Sequence, residues 1–201
     1  SAVSKVVIRN GYFSGTRSNG DGSAFTNQCG IRIRSYQSVY DNLRFDNFNY
    51  GIYLDARSSG SGTLVENRIL NSKFANCMNA AIYNETGTKV TDGILNNVKI
   101  GGTGYDHGIL LKQAGGWQIS NLHVYGSGFT VGAEFRNSDA TLLSNIYIGG
   151  NHSTAGLILH DYSHVELSNA VIQANTARTN GLWAQTSTSQ RWEKKPILLS
   201  N

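Results

Sequence analysis

The sequence predicts an all-β protein, a single parallel β-helix of about seven to eight rungs in which the chain coils with a period of about 24 residues. Two motifs repeat in phase. The run Gly-Ile-Leu-Leu-Lys at 108–112 returns as Gly-Ala-Glu-Phe-Arg at 132–136 and as Gly-Leu-Ile-Leu-His at 156–160. An Asn-x-x-Val/Ile motif begins at Asn97, Asn121, Asn145 and Asn169, each 24 residues after the last. A fixed period in this range indicates a repeat architecture, in which each unit buries its apolar face against its neighbours.

Each repeat has the alternation that is typical of strands. After each glycine the first and third residues are apolar, as in Ile109 and Leu111, and the second and fourth are mostly polar or aromatic, as in Glu134 and Arg136. One set is expected to point inward and the other outward. An interval of 24 residues leaves no room for a crossover helix, so each strand is expected to pair with its copy one turn later.

Stacking places equivalent asparagines above one another, where their side-chain amides can bond along the column. Asparagine also marks turns, but a constant interval favours a ladder. The predicted ladder consists of Asn42, Asn71, Asn97, Asn121, Asn145 and Asn169.

Irregular stretches interrupt the coil. Residues 3–13 are predicted to form the first rung, residues 14–28 an excursion, and residues 30–50 a compact rung. A Ser/Gly-rich insertion at 58–62 lengthens one repeat, so that the position equivalent to Gly51 is Ala81, 30 residues later. The β-helix is expected to occupy residues 1–185, and residues 186–201 are a cap, a terminal rung or a linker to a following domain. Because the chain begins without methionine, we expect a fragment of a longer protein.

Composition narrows the possible partners. The 17 basic and 13 acidic residues give a net charge of +4, and the basic residues are scattered, so nucleic-acid binding is not expected and an acidic glycan fits better. Cys29 and Cys77 fall at different places in their repeats, which favours buried thiols over a disulfide. No apolar run reaches about 18 residues and no signal peptide is visible, so membrane insertion is not expected.

One outward column offers chemistry. It places Asp55 and Glu85 on adjacent rungs beside Tyr53 and Tyr83. Carboxylates one rung apart can reach the separation of about 5 to 5.5 Å of a retaining glycosidase or about 6.5 to 9.5 Å of an inverting one. We therefore expect Asp55 and Glu85 to be the catalytic pair and the tyrosines to be sugar platforms. The alternative is a charge-balanced solvated face.

The basic residues of that column are Arg34, Lys112 and Arg136, and the last two are expected to bind substrate. If Asp55 and Glu85 held Ca²⁺ instead, Lys112 or Arg136 would be the base of a β-elimination. No cofactor is otherwise predicted.

A second column consists of Arg44, Lys73, Lys99 and His123, two residues after each ladder asparagine. An anionic glycan, a subunit contact or an ordinary solvated face would each account for it. The pairs Glu134–Arg136 and His160–Asp161 are interpreted as local, and His107 as a turn residue.

With its Gly-Ile-x-Leu rungs, asparagine ladder and sparse proline, the chain resembles the right-handed β-helices of the pectin-lyase-like superfold. Among these it is most similar to the β-helix domains of bacteriophage tailspikes and capsule depolymerases. The resemblance implies a homotrimer in the virion tail that binds and cleaves bacterial surface polysaccharide, either capsule or lipopolysaccharide, by glycoside hydrolysis. The alternatives are a non-catalytic receptor-binding or shaft module and a secreted polysaccharide lyase.

Overall fold

A computed structural model describes residues 5–15, 28–56, 62–84, 88–161, 164–173, 180–185 and 197–200. It confirms a single right-handed parallel β-helix. The coil makes about six turns, and the expected seven to eight rungs are reached only when the incomplete end turns are counted. Most of the predicted excursion at 14–28, most of the insertion at 58–62 and residues 186–196 lie outside the described residues.

The described residues form seventeen strands. They are β1 Val7–Ser14, β2 Cys29–Ile33, β3 Val39–Asp46, β4 Tyr50–Leu54, β5 Thr63–Val65, β6 Arg68–Leu70, β7 Lys73–Ala75, β8 Ala80–Asn84, β9 Lys89–Thr91, β10 Ile94–Thr103, β11 His107–Lys112, β12 Gln118–Arg136, β13 Thr141–Ile148, β14 Asn151–His160, β15 Val165–Ile172, β16 Asn180–Gln185 and β17 Ile197–Ser200.

Every pairing among these strands is parallel and joins one turn to the next. One stack runs through β1, β3, β6 with β7, β10, the first half of β12, β13, β15 and β17. A second stack runs through β2, β4, β8, β11, the second half of β12, β14 and β16, and β5 pairs with β9 in a separate two-stranded sheet. Ile109 pairs with Ala133 and Ala133 with Leu157, so the predicted register of 24 residues is confirmed.

The ladder asparagines form a corner of the coil. All six predicted ladder residues have a positive φ, between 47° and 54°. Asparagine tolerates this left-handed conformation better than most residues because its short polar side chain bonds locally. Its amides also bond across turns. The Nδ2–Oδ1 distances are 2.8 Å from Asn97 to Asn71, 3.2 Å from Asn145 to Asn121 and 2.6 Å from Asn169 to Asn145. The same residue therefore bends the strand and joins the turns.

The ladder differs from the prediction near its start. Asn42 Nδ2 bonds Asn10 Oδ1 at 2.8 Å, which extends the ladder to the first turn. Asn71 Nδ2 instead bonds Asp41 Oδ1 at 2.8 Å, one residue away from the expected partner Asn42. A carboxylate oxygen accepts this bond as well as an amide oxygen does.

Aromatic and aliphatic side chains stack inside the coil. The rings of Phe13, Phe45 and Phe74 lie parallel, with centroids 5.0 Å and 4.9 Å apart. The recurring glycines lie against this column. A Cβ atom on Gly132 would be 2.5 Å from the Gly156 carbonyl oxygen and 2.5 Å from Ile148 Cγ2. Close stacking, rather than an unusual φ, therefore explains why glycine recurs.

The two cysteines differ in how deeply they are buried. Cys77 is a buried free thiol, as predicted, whereas Cys29, also free, is partly exposed. None of the described residues belongs to a helix that is long and apolar enough to cross a membrane.

The ladder's contribution to stability can be measured at Asn145, which bonds both neighbouring turns. Replacing Asn145 with Gly removes these bonds but keeps the left-handed backbone easy to adopt, and should lower the free energy of unfolding by about 1 kcal/mol. Asn145→Ala should cost about 1 kcal/mol more, because alanine resists a positive φ. Urea denaturation of both variants separates the two effects. An alanine variant as stable as the parent protein would contradict the proposed role of the corner.

Candidate functional site

The outward face of β11, the second half of β12, β14 and β16 is concave rather than flat. The alternation pattern predicts exposed side chains two residues after each glycine, yet Leu110, Glu134 and Ile158 are only 7%, 3% and 8% exposed. Ile158 packs with Val131 and Ala155 in an apolar cluster separate from the main core. Because long side chains such as Arg136 border these positions on one side, a groove runs across the turns.

The groove consists of two adjoining hollows, each with a volume of about 330 Å³. The first is lined by Tyr50, Tyr83, Asp106 and Lys112 among others. Glu134, Arg136, His160, Ile158 and Trp183 are among the residues that line the second. His107 lines both hollows, so it marks the centre of the groove.

Glu134 is a buried carboxylate held by two basic side chains. Its Oε2 lies 2.8 Å from His107 Nε2, and Arg136 Nε donates to its Oε1. Burial raises the pKa of Glu134, but the hydrogen bonds from His107 and Arg136, together with their charges, outweigh burial and lower the pKa to about 2. Glu134 is therefore ionised at neutral pH.

The imidazole of His107 connects two carboxylates. Its Nδ1 lies 3.2 Å from Asp106 Oδ2, and the Asp106 side chain is 58% exposed, in contrast to Glu134 at 4%. Both contacts are hydrogen bonds only when both ring nitrogens carry a proton, since an ionised carboxylate only accepts. The centre of the groove thus holds a buried carboxylate, an imidazole and a solvent-facing carboxylate in sequence.

The far wall continues over two more turns. Arg136 pairs in register with His160, whose Nδ1 lies 2.8 Å from Asp161 Oδ2. Trp183 is in register with Ile158 and remains 40% exposed, so its ring faces the end of the groove. The pairs Glu134–Arg136 and His160–Asp161 are therefore local contacts, as the sequence indicated.

The predicted tyrosine platforms belong to a cluster at the other end of the groove. Tyr53 and Tyr83 are in register, with ring centroids 5.2 Å apart, and Tyr50 packs against both. The predicted substrate-binding residue Lys112 lies with its Nζ 5.4 Å from the Tyr83 ring centroid. Tyr83 lines the groove, but Tyr53 is only 7% exposed and offers little surface to a ligand.

Asp55 is buried beneath arginines. It is 1% exposed, and its Oδ2 lies 3.2 Å from Arg34 Nε and 3.9 Å from Arg32 Nη1. These contacts balance the charge of Asp55, but its burial differs from the solvated face of the alternative. Glu85 lies outside the described residues, so its pairing with Asp55 in catalysis stays a prediction. Across the described ranges, no three His, Cys, Asp or Glu side chains converge as possible metal ligands.

Sequence reasoning missed the role of His107. The sequence predicts that His107 belongs to a turn. In the structure His107 is the first residue of strand β11, and it contacts Glu134 on the next turn of the coil. Strict alternation places residues three apart on opposite faces. Val131 is the register partner of His107 and lies three residues before Glu134 on the same strand. Both Val131 and Glu134 nevertheless line the groove, because the strand is irregular just before Gly132. The available signal was that stacking brings His107, just before one glycine, near Glu134, two residues after the next glycine.

Comparisons of the chain with protein-family models, with curated proteins and with solved structures found no match.

The ion-pair network predicts a pH-dependent stability. Because the pKa of Glu134 in the folded state is about 2, below its ordinary value of 4.5, its stabilising contribution is complete above about pH 4.5 and is lost as the pH falls towards 2. Glu134→Gln should therefore lower the free energy of unfolding by about 3 kcal/mol at neutral pH and by less in acid.

Urea denaturation from neutral pH down to about pH 3 measures this difference. Glu166→Gln is the control, because it changes the same charge at an exposed position on β15. A Glu134→Gln deficit that does not shrink in acid would contradict the network.

Proposed function

We propose that this chain binds an acidic polysaccharide of a bacterial surface, either capsule or lipopolysaccharide, along the groove from Tyr83 to Trp183. The observation that carries the proposal is the groove itself, which has aromatic rings at both ends and charged side chains between them. Aromatic faces with polar neighbours suit sugar rings, whose apolar faces stack on them while their hydroxyl groups form hydrogen bonds.

The length of the groove favours a polymer. Tyr83, Leu110, Glu134, Ile158 and Trp183 follow one another in register on successive turns. Four intervals of about 4.8 Å span about 19 Å, which is more than a single sugar occupies. The ligand is therefore expected to cover several sugar units and to run along the axis of the coil.

The charges in the groove favour an acidic chain. Lys112, Arg136 and His160 form one wall in register, and Arg136 keeps 44% of its side chain exposed. The carboxylate of Glu134 is buried beneath them. An anionic ligand would therefore meet the charged groups of Lys112 and Arg136 along this wall, which provide attraction and orientation, while Asp106 lies towards the other hollow.

The setting that we propose rests on a resemblance. A parallel β-helix with an outer groove resembles the tailspikes of bacteriophages, so we place the chain in a homotrimeric virion tail protein, with a secreted protein as the alternative. A fold does not imply an activity. The alternative to an enzyme is a non-catalytic receptor-binding or shaft module, which would bind the polysaccharide in the same groove.

Glycoside hydrolysis is the second candidate function, and one observation favours it. The imidazole of His107 separates the carboxylates of Asp106 and Glu134. Because a whole ring lies between them, the two carboxylates are farther apart than the roughly 5 to 5.5 Å of retaining enzymes and are better compared with the roughly 6.5 to 9.5 Å of inverting ones. In such a hydrolysis Asp106, which faces solvent, takes a proton from the attacking water, and His107 in its protonated form gives one to the departing glycosidic oxygen as the glycosidic bond breaks. Ionised Glu134 stabilises positive charge on the sugar.

Binding is tested by replacing the exposed ring at the end of the groove. Trp183→Ala should weaken binding of an acidic capsular polysaccharide or lipopolysaccharide about tenfold, because it removes a stacking surface. Calorimetric titration measures the affinity, with Trp183→Phe expected to restore most of it. Leu142→Ala, at an exposed apolar residue outside the groove, is the control. Unchanged affinity in Trp183→Ala would contradict the proposed site.

Cleavage is tested by following reducing ends released from the same polysaccharides. Asp106→Asn and Glu134→Gln should each lower the rate at least a hundredfold, whereas Asp55→Asn should leave it within a few fold if the native fold is kept. Loss of activity in Asp55→Asn and Glu85→Gln alone would instead support the original carboxylate pair. Unsaturated uronate absorbance would indicate a lyase. The absence of any product would indicate a non-catalytic binding module.

A further inference from the structure

A second charged surface lies on a different part of each turn. The cationic stripe consists of Arg44, Lys73, Lys99 and His123, which occupy one position on successive strands β3, β7, β10 and β12. The groove is formed by the later strands of each turn, beyond the corner at Gly102 and Gly126, where φ is 115° and 135°. The stripe spans three intervals, about 14 Å along the axis.

The charges of the stripe are poorly balanced. Arg44 Nη2 lies 3.0 Å from Asp46 Oδ2, but no ion pair of Lys73 or Lys99 occurs within the described residues. The flanking columns are uncharged beside these lysines, with Asn71 and Asn97 on one side and Ala75 and Gly101 on the other. Like charges on directly opposite strand positions destabilise a sheet. The fold thus retains a repulsion that a bound anion would relieve.

The environment of His123 reflects this repulsion. Burial lowers the pKa of His123, and the positive charge of Lys99 on the preceding turn lowers it further. Register places the two side chains directly opposite each other. Lys99 therefore contributes a positive potential that its neighbours sense.

Exposed aromatic rings border the stripe at both ends. Tyr12 precedes Arg44 in register and is 64% exposed. At the other end the His123 ring lies 4.8 Å from Tyr125 and 4.7 Å from Tyr147, which are 44% and 37% exposed. The charges of Arg44, Lys73 and Lys99, in a row between aromatic rings, are complementary to an acidic glycan, whose carboxylates pair with the lysines while its sugar rings stack on the tyrosines.

We propose that the cationic stripe is a second binding site for an acidic polysaccharide, whose anionic groups pair with Lys73 and Lys99 and whose chain runs parallel to the axis of the coil. A glycan suits this surface better than a nucleic acid, because the cations form a single file and the whole chain carries a net charge of only +4. The site does not depend on the groove being a glycan site.

The test measures binding of the whole chain to polygalacturonate, with neutral dextran as the uncharged reference. Lys73→Glu combined with Lys99→Glu should weaken binding at least tenfold and make it less sensitive to salt. The control combines Lys5→Glu with Lys89→Glu, which changes the same total charge at exposed positions outside the stripe. The control should bind within about twofold of the parent protein.

Three further measurements keep the test decisive. Lys73→Gln with Lys99→Gln should show the same loss in a milder form, and its urea midpoint verifies that the fold is kept. The Lys73→Glu/Lys99→Glu pair is also measured in the Trp183→Ala background, where the loss caused by the lysine changes should be just as large, which separates this site from the groove. The proposal would be overturned if the stripe variant and the Lys5/Lys89 control lost the same affinity, or if Trp183→Ala alone abolished binding. Preferential binding of single-stranded DNA would also overturn it, as would a change in oligomeric state without a change in glycan binding.

Discussion

The structure depends on the register between successive turns, and the corner asparagines maintain much of it. Each ladder residue takes the left-handed conformation that bends the strand, and the amides of Asn97, Asn145 and Asn169 bond the equivalent asparagine on the preceding turn. A shift by one residue would break these bonds and turn every inward side chain outward. Bending and stacking are thus coupled in one residue type, so the coil keeps a nearly constant period of 24 residues through its second half.

Constant register converts sequence intervals into surface columns, and the columns differ in character. On one strand of each turn the column is exposed, and its lysines form no ion pair among the described residues. On another strand the equivalent outward positions are nearly buried, since the backbone is irregular before the glycine and the flanking side chains are long. The first arrangement leaves charge open to solvent. The second produces a groove with an ionised carboxylate at its centre.

The state of Glu134 links structure to chemistry. An ionised carboxylate with two basic partners is a weak proton acceptor, and its largest contribution is electrostatic. Such a group can anchor the groove, stabilise positive charge on a reacting sugar, or do both. The solvent-facing Asp106, which contacts the same histidine, is better placed to exchange protons with water. The proposals of glycan binding and of hydrolysis therefore rest on the same groove, and the second rests also on one pair of carboxylates.

The repeats alone determined the fold class, the period, the register and the asparagine ladder, because each of these is one contact repeated at a fixed interval. The same periodicity identified the column of Arg44, Lys73, Lys99 and His123. Only the tertiary structure decided which outward positions are open and which side chains meet diagonally. Asp55 is buried under Arg34 and Arg32, and His107 reaches Glu134, because local departures from alternation and long flanking side chains act there. A pattern that assumes ideal alternation contains no information about such departures.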